Sequence, residues 1–307
     1  MRWATGPVAV RVPATSANLG PGFDSVGLAL TLHDAVEARV ATSGVDIRVT
    51  GMGSDTANAR EAHLVIRAMR AAFDVIGAQP PGLAISCQNA VPHGFGLGSS
   101  AAAIVAGVLA ARALAGADGL AALPDPAVLR LGTEMEGHPD NVAACLLGGL
   151  TIAWQSGDGP AATRLEPMAD LRPMVCVPTT PLATEVARQV LPAAVPHADA
   201  AANSARSALL IAALTGRPEL LLAGTEDFLH QSHRADSMPA TTALIAELRA
   251  AGIAAVVSGA GPSVLALPVD TASVTAVAGL AAAADRSAGW QVLALSVDLA
   301  GARVLDC

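Results

Sequence analysis

Residues 91–103, Val-Pro-His-Gly-Phe-Gly-Leu-Gly-Ser-Ser-Ala-Ala-Ala, constrain the chain more than any other stretch. Gly94, Gly96 and Gly98 run directly into two serines and then an apolar, small-residue segment, Ala101 to Leu114. Glycine lets backbone N–H groups turn inward and approach a ligand closely. Ser99 is a natural N-cap for the helix that its successors predict. The first N–H groups of such a helix lack internal partners and carry partial positive charge. A glycine loop feeding a helix N-terminus is therefore a phosphate site by construction. A dinucleotide fingerprint fits poorly, because the spacing is not GxGxxG and the loop does not open the first β-α unit. A P-loop is excluded: it needs Gly-Lys-Ser/Thr, and all 18 basic residues of this chain are arginine.

At 307 residues the chain is long enough for two domains. Its net charge of −8 and lack of any basic run argue against a nucleic-acid partner. Any phosphate is expected to be held by backbone groups, a few arginines and a metal. Cys87, Cys145, Cys176 and Cys307 show no C-x-x-C spacing and read as reduced, cytoplasmic thiols. No apolar leader follows Met1-Arg2. The most apolar helix is broken by Gly107 and Arg112 and falls short of the ~20 residues of a membrane span, so no membrane partner is expected.

Along the chain, Val8–Val12 reads as a strand ending at Pro13. A turn-rich loop follows to Asp24, offering Thr15, Ser16, Asn18 and Asp24 on a constrained backbone. Strands are expected at 26–32, 34–41, 45–50, 83–87 and 150–154, with helices at 61–76, from Ala101 to about 115, and at 125–136 with Asp125 as its cap. Glu136-Gly137-His138-Pro139-Asp140-Asn141 packs three ionisable groups and an amide into a chain only 14% charged, a density that suits metal or substrate binding. The domain boundary is expected within 155–172, giving domains 1–160 and 161–307. The second half reads as helices over an antiparallel sheet, an α+β layer, with a second glycine turn at Ser258–Ser263.

Three glycine-bearing loops at these separations resemble the GHMP small-molecule kinases. Pro92 to Ala102 looks like their ATP-binding motif and Ser258 to Ser263 like their third motif. Val12 to Asp24 resembles the opening signature of the homoserine kinases within that superfamily, and residues 136–141 match a segment of theirs. The resemblance covers essentially the whole chain. It implies a two-domain fold: an N-terminal ribosomal-protein-like α/β domain with a left-handed β-α-β unit and a C-terminal ferredoxin-like domain.

It also implies ATP wrapped by Pro92, His93, Gly94, Phe95, Gly96, Leu97, Gly98, Ser99, Ser100, Ala101 and Ala102. Mg2+ falls to Ser100 (or Ser99) and Glu136, with Glu134 as the other candidate because the segment before His138 is short. L-homoserine is implied between Thr15, Asn18, Asp24, His138, Asp140 and Asn141 on one side and Thr184, Arg188, Arg234, Gly259 and Gly261 on the other. Asp24, Asp140 and Asn141 carry the catalytic expectation. Phe95 departs from the small polar or basic residue common at its place. Family members are commonly homodimers. Two other readings stay open: a GHMP kinase for a different small alcohol, and a catalytically silent nucleotide-binding regulator.

Overall fold

The computed structural model describes residues 2–284 and 289–305. Its spine is a long antiparallel hairpin, β1 (Val8–Asn18) and β2 (Gly22–Ala41), joined at Leu19–Pro21. Sequence predicts that β1 stops at Pro13, but the strand continues to Asn18 with register shifts after Pro13 and Ala17. Residues 12–20 are all buried, and buried backbone must pair its N–H and C=O groups. Pairing with β2 meets that need, and the bulges accommodate the proline.

Next come β3 (Gly44–Gly51), α1 (Leu64–Ile76) and β4 (Gly82–Asn89), with β3 and β4 parallel. The first sheet runs in the order β1-β2-β4-β3. β5 (Leu150–Ser156) pairs with β2 at Val26–Leu28, and β6 (Gly159–Leu165) pairs with β5. β11 (Arg303–Leu305) returns from the far end of the chain to β1. The first sheet thus runs to Leu165 and borrows residues 303–305, so a cut at 160 falls inside β6.

Helices α2 (Ser99–Leu114), α3 (Gly116–Ala122), α4 (Asp125–Glu136) and α5 (Asp140–Leu147) belong to this half. α2 is buried on nearly all sides, as its composition predicts. Small residues make that possible: a Cβ on Gly107 would come 2.6 Å from the Val65 carbonyl of α1. Asp125 is not the cap of α4. Pro124 holds that place, and Asp125 instead pairs with Arg112 at 2.7 Å.

The second sheet comprises β7 (Met174–Val177), β8 (Ala255–Val257), β9 (Val264–Ala266) and β10 (Gln291–Ala294). It is antiparallel throughout, in the order β10-β7-β9-β8. Between β7 and β8 lie α6 (Thr184–Gln189), α7 (His197–Thr215), α8 (Leu221–Gly224), α9 (Gln231–Arg234) and α10 (Pro239–Ala250). α11 (Thr271–Ala283) joins β9 to β10. The connectivity is βαββαβ.

Successive strand residues face opposite ways, and here they feed two cores. Met174, Cys176, Val264 and Ala266 pack with Leu244, Leu248 and Val277 of α10 and α11. Val175, Val177, Val256 and Leu265 pack with Ala14, Leu19, Leu28, Leu30 and Leu97 of the first half. The second core joins the two sheets, and a cleft opens along its edge. Among the described residues no helix is long and apolar enough to cross a membrane.

Candidate active site

The cleft is lined by Gly94, Gly96, Leu97, Gly98, Ser99 and Ser100 on one wall, and by Asn18, Glu136, His138, Asp140 and Asn141 beside them. Arg188, Arg234, Gly259 and Ala260 face them from the second half. Gly94, Gly96 and Gly98 all hold left-handed φ values, 78°, 72° and 68°. At Gly96 a Cβ would strike the Ser258 carbonyl, and at Gly98 the Thr15 hydroxyl. The loop is clamped from both sides. Thr15 N–H donates to Leu97 O (3.0 Å), Leu182 N–H to Gly94 O (2.9 Å), and the Ser258 hydroxyl to Gly96 O (2.7 Å).

The cap of α2 is Gly98, not Ser99, and no side chain caps the helix. A serine cap would occupy an orphan N–H. Its absence leaves the amides of 99–101 available to an anion. Ser100 Oγ donates to Glu136 Oε2 at 2.6 Å, linking the head of α2 to the end of α4. Burial pushes the Glu136 carboxyl above its usual range, against the lowering effect of that hydroxyl. Glu134 is exposed and outside the cleft.

Asp140 and Asn141 open α5, a helix that Pro139 initiates and that the sequence pattern alone leaves as a loop. Asp140 Oδ1 lies 2.6 Å from His138 Nδ1 and accepts the Asn141 N–H at 2.8 Å. Burial opposes protonation of His138, but the Asp140 carboxylate outweighs it, and the imidazole is raised above its ordinary value. Thr15 Oγ1 donates to Asn141 Oδ1 at 2.7 Å, which orients the amide. Thr15 therefore acts from beneath the cleft rather than lining it.

Asn18 bridges to the facing wall: it donates from Nδ2 to Gly259 O (2.8 Å) and accepts the Asp24 N–H at Oδ1 (3.0 Å). Asp24 takes Arg188 in a two-pronged pair at 2.6 and 3.2 Å, which raises the Arg188 guanidinium further. Arg234 is 1% exposed, and no carboxylate among the described residues lies within ion-pair distance. It is held by Ala187 O (2.8 Å) and His230 Nδ1 (3.0 Å). Burial, then the neighbouring Arg188, pushes it down to about 10, so it stays charged at neutral pH. Both guanidinium carbons lie 5.7 Å from the centre of the Phe23 ring.

Several expected residues stand elsewhere. Phe95 packs against the core joining the two sheets and lines neither the cleft nor the cavity next to it. Pro92 and Ala101 are buried behind the loop. Gly261 bonds back to Ser258 O, leaving Ala260 as the lining residue. Thr184 starts α6, and its side chain lies outside the described residues. His93 and Ala102 line an adjoining apolar cavity of about 330 Å³, which shares Ser99 and Ser100 with the cleft. Ala260 lies within the Ser258–Ser263 turn, where Gly259 and Gly261 are the expected pocket residues; sequence reasoning missed Phe23 and His230, and only the turn-rich setting of Phe23 and the density of polar residues over Asp227–Arg234 point to them.

Comparison places this architecture. The pattern described as "GHMP kinases N terminal domain" matches residues 63–149, and "GHMP kinases C terminal" matches 208–282. The chain belongs to the GHMP kinase family. Within it, the homoserine kinase of Streptomyces avermitilis is 57% identical over 97% of this chain and 95% of its own. That of Leifsonia xyli is 50% identical over 97% of this chain and 91% of its own. The crystal structure of homoserine kinase from Cytophaga hutchinsonii superposes with a TM-score of 0.82 at 27% identity, covering 99% of both chains. Mevalonate kinase of L. major shares the fold, at 14% identity and a TM-score of 0.68 over 96% of both chains.

Proposed function

We infer that this chain is a homoserine kinase: it transfers the γ-phosphoryl group of ATP to the side-chain hydroxyl of L-homoserine, giving O-phospho-L-homoserine and ADP. One observation carries the reading. An uncapped helix head faces, across a single cleft, a buried guanidinium with no carboxylate among the described residues at ion-pair distance. The first suits a polyphosphate and the second an amino acid's carboxylate. The near full-length likeness to homoserine kinases supports the same assignment.

ATP lies with its phosphates on Gly94–Ser100. Its base enters the adjoining cavity, whose walls include Val12, Val36, Ala103 and Ala106. Arg234 and Arg188 bind the substrate carboxylate. Asp24, Asp140, Asn141 and Asn18 bind the ammonium and orient the hydroxyl. Phosphoryl transfer passes through a loose transition state, so positioning and charge neutralisation supply most of the catalysis. The hydroxyl proton leaves late, as the bond to phosphorus completes, and passes to the oxygens of the transferred phosphoryl group and then to water; with no lysine in the chain, no Lys–Asp pair takes it.

Ser100 and Glu136 fit Mg2+, offering hard oxygen donors at the phosphate end of the cleft. When bound there, the ion offsets charge on the β- and γ-phosphates. Asp24, His138 and Asp140 also bring donor atoms within 4.8 Å of one another. That trio includes a nitrogen donor, and its carboxylates are engaged by Arg188 and His138, so it is assigned to substrate. The reading is completed by a cytoplasmic homodimer with no nucleic-acid or membrane partner.

The test is ADP release from ATP and Mg2+ with homoserine, shikimate, mevalonate or galactose as acceptor. Homoserine alone should support turnover. Preference for another alcohol would move the substrate, and ATP binding without turnover on any acceptor would leave a nucleotide-binding regulator.

A further inference from the structure

The carboxylate grip rests on a buried histidine that does not line the cleft. His230 is fully buried, with Nδ1 3.0 Å from Arg234 Nη1 and Nε2 2.8 Å from the Gly20 carbonyl. A guanidinium only donates and a carbonyl only accepts. Nδ1 must therefore be bare and Nε2 must carry the proton, so the two partners fix one neutral tautomer. Burial holds the ring below its usual range and Arg234 adds to this, while Asp227 and Asp24 act against it. Asp227, 3.7 Å from Nε2, is itself taken by the N–H groups of Leu229, His230 and Gln231. Those bonds fix the turn that presents the imidazole.

Gly20 sits in the turn between β1 and β2, and that turn is flanked by Asn18 and Asp24, which line or support the cleft. His230 thus ties an arginine of the second half to the hairpin of the first. Without it, Nη1 of Arg234 keeps, among the described residues, only a 3.5 Å contact to Gly259 O.

We propose that His230 is a positioning residue for carboxylate recognition: its bare Nδ1 aims the Arg234 guanidinium into the cleft, and its Nε2–H registers that arginine against the β1–β2 turn. The inference rests on the reading that the acceptor is L-homoserine.

Two variants separate the ring's two ends. In His230→Asn the amide oxygen falls near the Nδ1 position and keeps an acceptor for Arg234. In His230→Gln the amide reaches the Nε2 position and keeps the donor to Gly20. Steady-state kinetics are measured on both, with melting curves to confirm folding. Losing a bond to a charged group should raise the homoserine KM of His230→Gln about tenfold, with kcat and the ATP KM little changed, and His230→Asn should stay closer to wild type. The decisive arm uses homoserinol, in which a hydroxymethyl group replaces the carboxylate. Wild type and His230→Gln should use it equally poorly. A loss that extends to ATP or homoserinol, or equal homoserine KM values for the two variants, overturns the proposal. A wild-type enzyme active on another alcohol but inert toward homoserine removes the substrate reading instead, and this inference with it.

Discussion

Arg234 is buried with no carboxylate among the described residues at ion-pair distance, Asp24 and Asp227 acting on it only from farther off, a position that a charge rarely tolerates. Burying an ion without a counter-ion is costly, and here carbonyls, an imidazole and the face of Phe23 offset only part of that. A substrate carboxylate completes the set, so affinity should depend on this residue more than on any exposed cation. Arg234→Ala is expected to raise the homoserine KM about a hundredfold or more, since charged hydrogen bonds are worth about 1.5–3 kcal/mol each, while the ATP KM changes little. Arg234→Lys should rescue poorly, because an ammonium cannot match the planar fork. Equal loss for both substrates would mean that the fold, not the grip, was damaged. Glu136 and Glu134 offer a second contrast at this scale. Glu136→Gln should shift the Mg2+ dependence of turnover upward about tenfold, while exposed Glu134→Gln leaves it unchanged. An unaltered magnesium titration in Glu136→Gln would place the ion elsewhere.

At the scale of elements, the head of α2 is the working part. Gly98 carries φ 68° and lies against Thr15, whose hydroxyl also orients Asn141. Gly98→Ala would strain the backbone by about 1–2 kcal/mol and displace Thr15. It should weaken ATP binding at least tenfold in a direct titration; wild-type affinity would show that the cradle does not depend on this turn. The loop itself was legible in the sequence because glycine spacing and the apolar run after it state a local geometry. The span of α4 and the burial of α2 were legible for the same reason. The caps were misjudged at Ser99 and Asp125, because a capping residue is chosen by the path of the preceding chain. The polar turn formers of residues 13–18 read as a loop, although tertiary burial turns them into strand. His230 and Phe23 gave no periodic signal, since their role exists only once the two halves meet.

At the scale of the whole molecule, the order of folding units departs from the order of the chain. β11 comes last but pairs with β1, so the first sheet is completed only after the second half has been traversed. Asp298 pins that return: it lies 2.6 Å from His33 Nε2 on β2 and accepts the N–H groups of Ala300 and Gly301, both at 2.8 Å. Burial alone would raise its carboxyl, but His33 and the two amides outweigh it, and the group titrates below the ordinary value of 3.8. A depressed carboxyl contributes stability that is present above the unfolded value and lost as pH falls through the folded one. Asp298→Ala strips two amides of their acceptor and should cost about 2 kcal/mol at neutral pH. In urea melts the gap between variant and wild type should persist down to pH 5 and narrow as pH falls below 3.8. A gap that does not respond to pH would mean that the lost packing, not the charge, holds the final strand in place.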